Sequence, residues 1–206
     1  MNLQRGKYRL VDLSRTIIPG EEDRRLEIRR GVIAIDDTFM HEIDTMSHVG
    51  THVEAPAHFY EDGKDVSEVP LETFVGRAVI LDQPSTEITA QTLEAADGGR
   101  TQPGDILILR NRSAPQKAYI NKDAAQWLVE RKIVLLGFDS SVTTGHDKAE
   151  NRENHDILMG AGICLLEVLA NLDRISQPEV FFVAAPLKIK GLDSSPVRAF
   201  AIEFED

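Results

Sequence analysis

The chain has 206 residues, of which 23 are Lys or Arg and 34 are Asp or Glu, so its formal net charge is −11. This acidic balance disfavours a protein that binds the phosphate backbone of nucleic acids, because such proteins carry clustered positive charge. With 42% hydrophobic and 28% charged residues, the composition is that of an ordinary globular protein. We therefore expect a single domain over residues 1–206.

The compartment is predicted from cysteine usage and from apolar segments. Cys164 is the single cysteine, so no internal disulfide can form, and we expect it to be a small core residue. Met1–Leu10 has no apolar stretch typical of a signal peptide. The longest nearly apolar run, Val180–Leu187, is too short to cross a bilayer. We expect a cytoplasmic protein without a membrane partner.

The predicted elements change in character along the chain. The first part contains strands separated by charged turns, at Tyr8–Leu13, Gly31–Ile35 and Phe39–Ser47. Strands then alternate with helices: strands at Gly76–Asp82, Asp105–Arg110 and Ile133–Phe138, and helices at Thr89–Asp97 and Lys122–Lys132. Two more strands are predicted near the end, at Val180–Ala185 and Arg198–Phe204. This order predicts an α/β fold, a mixed-sheet single domain with a parallel component.

Specific residues in the second part of the chain indicate where the predicted helices begin and end and where a polar segment lies. Thr89 and Asn121 are suited to cap the two helices at their N-termini, and Gly98 to end the first. Between the last predicted helix and the final strands, Ser140–Asn154 is polar. We interpret it as a solvated loop, with a lid over the functional site as the alternative.

The histidines are concentrated in one segment. Four of the six lie between His41 and His58, and three occur in the string HVGTHVEAPAH. Glycine and proline within this string oppose a helix, so His48 and His52 are not a helical i, i+4 pair. His52 and Glu54 would share one face of an extended strand. Imidazole and carboxylate together suit Zn²⁺ or Mn²⁺, so His48, His52 and Glu54 are candidate ligands, with His58 available for ligation or proton transfer.

The same string resembles the HxGTHxDxPxH signature of the cyclase family of metal-dependent hydrolases, which includes bacterial kynurenine formamidases and isatin hydrolases. Similarity extends to Val11–Ser14, Pro19-Gly20, Gly137–Asp139, His155–Leu158, Gly162-Ile163, Glu167, Gly191–Asp193 and Pro196–Arg198. The resemblance implies the swivelling β/β/α fold of that family and a homodimer or homotetramer.

The resemblance also implies a set of site residues. One ion would be bound by His48, His52 and Glu54, and a second by Glu54, His155 and Glu167, while His58 would transfer protons. Glu54 stands where the family usually has Asp, and its extra methylene leaves open whether one or two ions bind. The implied cofactor is a divalent metal, Zn²⁺ first and Mn²⁺ as the alternative.

The function implied is hydrolysis of a C–N amide bond in a small molecule, an arylformamide such as N-formylkynurenine, as in tryptophan catabolism. An isatin-type cyclic amide or a lactone is the alternative substrate. A non-catalytic metal-binding protein and a binding module for a sugar or small acid are alternatives of other classes. His41 and His146 are predicted to be ordinary surface or strand residues, and Asp139 to be either a strand-end binding residue or a local hydrogen-bond acceptor.

Overall fold

A large mixed sheet organises the molecule, whose computed structural model describes residues 7–33, 35 and 37–204. The strands are β1 (Tyr8–Asp12), β2 (Leu26–Ile33), β3 (Thr38–Thr45), β4 (His52–Glu54), β5 (Val75–Gln83), β6 (Glu87–Ile88), β7 (Ile106–Asn111), β8 (Ala118–Ile120), β9 (Leu135–Asp139), β10 (Val142–Thr143), β11 (Cys164–Leu169), β12 (Glu179–Val183), β13 (Ser194–Pro196) and β14 (Phe200–Phe204). The helices are α1 (Ala90–Asp97), α2 (Lys122–Glu130) and α3 (Lys148–Gly160), with 3-10 turns at Pro56–His58, Leu71–Thr73 and Leu172–Arg174.

The main sheet has nine strands in the order β1-β14-β12-β5-β7-β9-β11-β4-β13. Its centre, β5-β7-β9-β11, is parallel, and the strands on both sides are antiparallel. Each of the three parallel crossovers contains a short strand followed by a helix: β6 and α1, β8 and α2, β10 and α3. These short strands form a second, parallel sheet in the order β10-β8-β6. The mixed α/β architecture is confirmed.

Both faces of the central strands are buried, as expected where helices cover a parallel sheet. Along β7, Ile106 and Ile108 pack in one cluster with Val53 and Phe182. The alternate residues Leu107 and Leu109 pack in the other, whose helical members include Leu93, Leu128 and Leu158. Burial on both faces explains why these strands appear in the sequence as continuous apolar runs.

The predicted helix caps are confirmed. The Thr89 side chain accepts a hydrogen bond from the Thr92 N–H, and Gly98 ends α1 in the left-handed conformation. The Asn121 side chain accepts from the Ala124 N–H at the start of α2. That helix ends at Glu130, before the predicted Lys132, because Lys132 has a φ of 55°, outside the helical range.

The prediction of a loop over Ser140–Asn154 is wrong, because the segment contains β10 and the first half of α3. Asp147 begins α3 by accepting hydrogen bonds from the Ala149 and Glu150 N–H groups. The charged first turns of α3 obscure a helix whose buried residues are Asn154, His155, Leu158 and Met159. A lid made from this segment would have to unpair β10 from β8 and unwind α3.

The first predicted strands correspond to β1, β2 and β3, but β2 begins at Leu26, five residues before the predicted start. Position 34 of that predicted strand, and residues 1–6 of the polar N-terminal segment, lie outside the described residues. β2 and β3 pair with each other as a separate two-stranded sheet. Within the described ranges, no helix has the length and apolar character required to cross a membrane.

Candidate metal centre

The histidine signature lies in a turn and a short strand at the far side of the main sheet. β4 is hydrogen-bonded between β11 and β13, antiparallel to both. His48 precedes β4 in a turn, whereas His52 and Glu54 lie within the strand, both buried. The predicted extended backbone and the shared face of His52 and Glu54 are therefore observed.

The Gly-Thr pair of the signature fixes the shape of the turn. Gly50 has a φ of +64°, and a Cβ there would lie 2.5 Å from the Ile17 Cγ1 atom, so this position requires glycine. Thr51 Oγ1 donates to the Val168 carbonyl at 2.6 Å and accepts from the Arg15 N–H at 2.9 Å. These contacts anchor the turn to β11 and to the N-terminal segment.

The first cluster consists of His48, His52 and Glu54, whose candidate ligand atoms lie within 4.8 Å of one another. His48 Nδ1 is 2.8 Å from Glu54 Oε1, and His52 Nε2 is 3.5 Å from the same oxygen. The Gly50 carbonyl lies 2.8 Å from His52 Nδ1, so that nitrogen carries the proton and donates. The lone pair on His52 Nε2 is thereby directed at the cluster.

The second cluster consists of Glu54, His155 and Glu167, and it shares Glu54 with the first. His155 Nε2 lies 3.9 Å from both Glu54 Oε2 and Glu167 Oε1. His155 Nδ1 faces the Asn151 carbonyl at 2.7 Å, which again leaves Nε2 free to coordinate. The ring of Phe59 stacks on the His155 imidazole with centroids 4.8 Å apart, which fixes the plane of the imidazole.

Glu167 lies on β11 immediately before a bulge. The pairing of β11 with β9 shifts register between Leu166 and Leu169, and Val168 has a φ of 59°. A β-branched residue in the left-handed region is an outlier, of a kind that occurs where the surrounding structure enforces it. Glu167 itself pairs with His52 in regular antiparallel register with β4, so its side chain lies on the same face as His52 and Glu54, and the bulge follows it at Val168.

The chemistry of these residues fits a divalent ion. His52 Nε2 and Glu54 Oε2 are buried without a hydrogen-bond partner, although buried polar atoms are normally satisfied. Both atoms point into the space that the five side chains surround. Imidazole nitrogens and carboxylate oxygens are the donor set that Zn²⁺ and Mn²⁺ accept. An ion between them would satisfy both atoms.

Asp193, which the sequence analysis did not assign to the site, connects His48 to His58. Its Oδ2 atom lies 2.8 Å from His48 Nε2 and 2.9 Å from His58 Nδ1, while Ser47 Oγ donates to Oδ1 at 3.0 Å. His58 Nε2 is in turn 4.0 Å from Glu54 Oε1. In the sequence, a role for Asp193 was indicated by the similarity of Gly191–Asp193 to the family's closing segment. That similarity by itself specifies no chemistry.

The carboxylates of the site have divergent proton affinities. Burial would raise the pKa of Glu54, but the hydrogen bond from His48 and the proximity of the His52 and His58 imidazoles outweigh it and hold the pKa well below its usual range. Burial and the neighbouring Glu54 charge raise the pKa of Glu167 to about 7. Burial would raise the pKa of Asp193, but hydrogen bonds from His48 and His58 outweigh it and lower the pKa to about 2.

Two of the buried histidines, His48 and His155, respond in opposite directions. The pKa of His48 is raised, because the contacts with Glu54 and Asp193 outweigh the cost of burial. Burial lowers the pKa of His155, which favours the neutral imidazole that metals bind.

The site opens to solvent through a cleft of about 220 Å³. Its walls are formed by His48, His52, Glu167 and Val168 on one side and by Arg15 and the charged segment 21–24 on the other. Glu22, nearly buried, binds Arg15 and accepts from the Ile18 N–H, so part of this charged wall is fixed in place.

Other residues considered in the sequence lie away from the centre. His41 is exposed on β3, and His146 lies edge-on to Tyr119. Asp139 accepts from the Ser141 N–H at 2.8 Å, a local loop contact. Cys164 is fully buried, and burial raises its pKa to about 12, as expected for a core thiol.

Together, the fold and site define an α/β protein with a buried His/Glu cluster at a cleft, suited to a divalent metal and accompanied by a histidine–carboxylate pair. The chain belongs to the cyclase family: residues 11–143 match the Cyclase family model, described as "Putative cyclase".

Several similar proteins are named as hydrolases, which supports hydrolase activity for this chain. Kynurenine formamidase of Bacillus cereus is 34% identical over 164 residues, which cover 75% of this chain and 76% of that protein. The structure of isatin hydrolase A from Labrenzia aggregata, bound to benzyl benzoate, has 27% identity and a TM-score of 0.79, covering 96% of this chain and 94% of that one. A potential metal-dependent hydrolase with cyclase activity has 27% identity and a TM-score of 0.77, covering 97% and 100%.

Proposed function

We propose that this protein is a metal-dependent amidohydrolase that cleaves the C–N bond of an arylformamide such as N-formylkynurenine. The observation that carries the proposal is the pair of buried, unsatisfied atoms, His52 Nε2 and Glu54 Oε2, that converge beside His58 at a cleft. The similarity to kynurenine formamidases over three quarters of the chain supports the substrate class.

Five side chains would hold the cofactor, a divalent ion for which we propose Zn²⁺, with Mn²⁺ as the alternative. His48, His52 and Glu54 would bind one ion, and Glu54, His155 and Glu167 a second. Such an ion supplies Lewis-acid polarisation of a carbonyl and lowers the pKa of a coordinated water molecule. Binding at the first cluster would replace the contact between His48 Nδ1 and Glu54 Oε1, whose atoms are 2.8 Å apart.

His58 would move the protons that amide hydrolysis requires. Its side chain is 32% exposed, the most open of the site's histidines, and Nε2 lies 4.0 Å from Glu54 Oε1, so His58 is both open to solvent and next to the candidate ligands. Asp193 holds the other ring nitrogen, Nδ1, and would stabilise the imidazolium while His58 carries a proton. His58 would take a proton from the attacking water and deliver it to the departing arylamine nitrogen.

Isatin-type ring opening is the second candidate reaction. It is favoured by the similarity to isatin hydrolase A, which extends over 96% of this chain. The two reactions share the attack of water on an amide carbonyl and differ in whether the leaving nitrogen stays attached to the product. One protein preparation can therefore be tested against both substrates.

The test combines metal analysis with hydrolysis of N-formylkynurenine and isatin, followed by absorbance. We expect one or two equivalents of metal per chain and turnover that is lost on chelation. His58→Gln should retain metal and lose roughly 10²–10⁴-fold in kcat, the usual contribution of a general acid–base group. His52→Ala should lose both metal and activity, whereas His146→Gln, outside the site, should resemble the unmodified protein.

Two results would contradict the proposal. Undiminished turnover after complete removal of metal would exclude metal-dependent hydrolysis. Bound metal without turnover on a panel of formamides, lactams and lactones would instead support a non-catalytic metal-binding protein.

A further inference from the structure

Arg24 lines the cleft, and no described residue neutralises its charge. Two other arginines of this region are paired: Arg15 with Glu22, and Arg25 with Asp44 at 2.9 Å. Within the part of the chain that the structure describes, no carboxylate forms an ion pair with Arg24, whose side chain is exposed. A guanidinium that is not paired within the protein can form charge-assisted hydrogen bonds with a ligand.

The segment that carries Arg24 is held in place beside the histidine signature. The Glu22 side chain, 5% exposed, binds Arg15 and accepts a hydrogen bond from the Ile18 N–H at 3.1 Å. The Arg15 N–H in turn donates to Thr51 Oγ1 of the signature at 2.9 Å. These contacts connect the charged wall of the cleft to the turn that precedes β4, so Arg24 is presented from a fixed segment.

Arg24 acts on the candidate metal centre from the other side of the cleft. His48, His52 and Glu167 line the side opposite to Arg24. Burial and the Glu54 charge raise the pKa of Glu167, and Arg24 is among the positive groups that oppose this rise. Because such an effect weakens with distance, Arg24 lies within the span of one small molecule of the candidate ligand atoms.

The chemistry of the proposed substrate matches this wall. N-formylkynurenine has its formamide at one end and an α-amino-acid group, with one carboxylate and one ammonium, at the other. The wall places the Arg24 guanidinium beside the exposed carboxylates of Glu21 and Asp23. A guanidinium matches the planar geometry of a carboxylate and can bind it through two hydrogen bonds. Isatin, the substrate of the second candidate reaction, has no carboxylate.

We propose that Arg24 is a specificity-determining residue that binds the α-carboxylate of the substrate while the formamide lies at the metal centre. The inference rests on the proposed function, because it assigns to Arg24 a part of the same substrate. Glu21 and Asp23 would face the ammonium. At about 220 Å³, the cleft is small for a ligand site, for which roughly 300–1,000 Å³ is usual, so a substrate that fills it reaches the charged wall.

The kinetic test compares two substrates that differ only in the carboxylate, N-formylkynurenine and its decarboxylated analogue N-formylkynuramine. In Arg24→Gln, kcat/KM for N-formylkynurenine should fall at least about tenfold, because charge-assisted hydrogen bonds to the carboxylate are lost. The value for the analogue should not fall. Arg24→Lys keeps the charge without the two-pronged geometry and should lie between Arg24→Gln and the unmodified protein.

Arg25→Gln is the matched control, because it removes the same charge from the next residue. Arg25 is 57% exposed, pairs with Asp44 and is not among the residues that line the cleft. The ratio of the two kcat/KM values should therefore stay as in the unmodified protein. An equal change of this ratio in Arg24→Gln and Arg25→Gln would assign the effect to net charge and would overturn the inference.

Binding of the products gives a readout that does not require turnover. L-Kynurenine keeps the carboxylate, whereas kynuramine lacks it. In isothermal titration calorimetry on the metal-loaded protein, Arg24→Gln should weaken the binding of L-kynurenine at least about tenfold and should not weaken the binding of kynuramine. Circular dichroism of the variant should match that of the unmodified protein, because the substituted side chain is exposed and unpaired within the described ranges.

The outcomes separate this inference from the proposed function. Binding of L-kynurenine that depends on Arg24, without turnover of any formamide, would support the inference and contradict the proposed hydrolysis. Hydrolysis of both formamides with kcat/KM values that Arg24→Gln leaves unchanged, or lowers equally, would overturn the inference and leave the hydrolysis standing. Absence of binding of L-kynurenine, without turnover, would overturn both.

Discussion

Asp193 is the side chain on which the orientation of His58 depends. It contacts His48 and His58 through one oxygen atom, Oδ2, and its other oxygen accepts from Ser47. Asp193→Asn removes the charge but keeps the shape, so we expect kcat to fall by roughly 10–100-fold with KM and metal content nearly unchanged. Steady-state kinetics with metal analysis would measure this.

The partnership of Asp193 with His58 can be separated from a purely structural effect by a double variant. If Asp193 acts through His58, then His58→Gln/Asp193→Asn should be no slower than His58→Gln alone. Additive losses, or loss of metal in Asp193→Asn, would show that Asp193 acts through His48 or the fold instead.

Glu203, remote from the site, should make the stability of the fold depend on pH. It is 3% exposed, and burial would raise its pKa, but hydrogen bonds from the Gln177 N–H, Arg9 and Ser176 lower the pKa below 4.5. A lowered folded-state pKa means that the stabilisation is complete above about pH 4.5 and is lost as the pH falls through the folded-state pKa. Glu203→Gln should therefore cost about 1–3 kcal/mol at pH 7 and progressively less below pH 4.5.

Urea unfolding of Glu203→Gln at several pH values would measure this difference. Glu179→Gln is the matched control, because Glu179 lies on the neighbouring strand β12 and pairs with Arg77, but its side chain is 42% exposed. An exposed ion pair contributes about 0–1 kcal/mol, so the control should show little change. A difference between Glu203→Gln and the unmodified protein that grows at acidic pH would contradict the assignment.

Among the elements, β11 combines a regular strand with a bulge whose conformation its sequence does not favour. Val168 adopts a φ of 59°, a region that costs an L-residue roughly 1–2 kcal/mol relative to glycine, whereas glycine loses about 0.5–1 kcal/mol through backbone entropy. Since the substitution also removes a half-buried side chain, at a cost of about 1 kcal/mol, we expect Val168→Gly to change the free energy of unfolding by less than about 1 kcal/mol in either direction. Thermal or urea unfolding would measure this.

Val183→Gly provides the control for this prediction, since Val183 is also a half-buried strand valine but is not among the residues with positive φ. That substitution should destabilise the protein by at least about 1 kcal/mol. Equal destabilisation by both substitutions would mean that the conformation of Val168 carries no strain.

The elements also show how far local patterns determine this fold. Buried strands such as β7 and capped helices such as α1 were predicted to within one or two residues, because burial on both faces and capping leave local patterns in the sequence. Helix α3 was missed, since its charged first turns resemble a solvated loop. The bulge at Val168 could not be predicted, because contacts from Thr51 and the shifted pairing with β9 stabilise it.

For the molecule as a whole, the proposed metal would contribute to the stability of the fold. An ion that binds only the folded chain stabilises it by about 2.7 kcal/mol at a free concentration one hundred times its Kd. For a protein of this size, that corresponds to a Tm increase of roughly 5–10 °C. Calorimetry with and without a chelator should show this difference.

His52→Ala provides the internal control for the metal effect. Its Tm should be insensitive to the chelator, because it lacks one of the buried ligand atoms. If its Tm fell on chelation as much as that of the unmodified protein, the metal responsible would lie elsewhere in the chain.

The site residues that lie close together in the sequence could be predicted, and those far apart in the sequence could not be predicted from spacing. His48, His52, Glu54 and His58 lie within one short segment whose spacing indicates metal chemistry. His155 and Glu167 were assigned by resemblance alone, since each resembles an ordinary helix or strand residue. Asp193 was not assigned, because it meets His48 across 145 residues of chain and only the fold brings them together.

The position of β4 in the sheet has a consequence for the order of events during synthesis. This three-residue strand is held by β11 and β13, both of which lie in the last quarter of the chain. A nascent chain on the ribosome would expose the histidine signature long before Glu167 and Asp193 have been translated. The complete ligand set therefore exists only after the C-terminal strands have docked, and maturation with metal would follow translation.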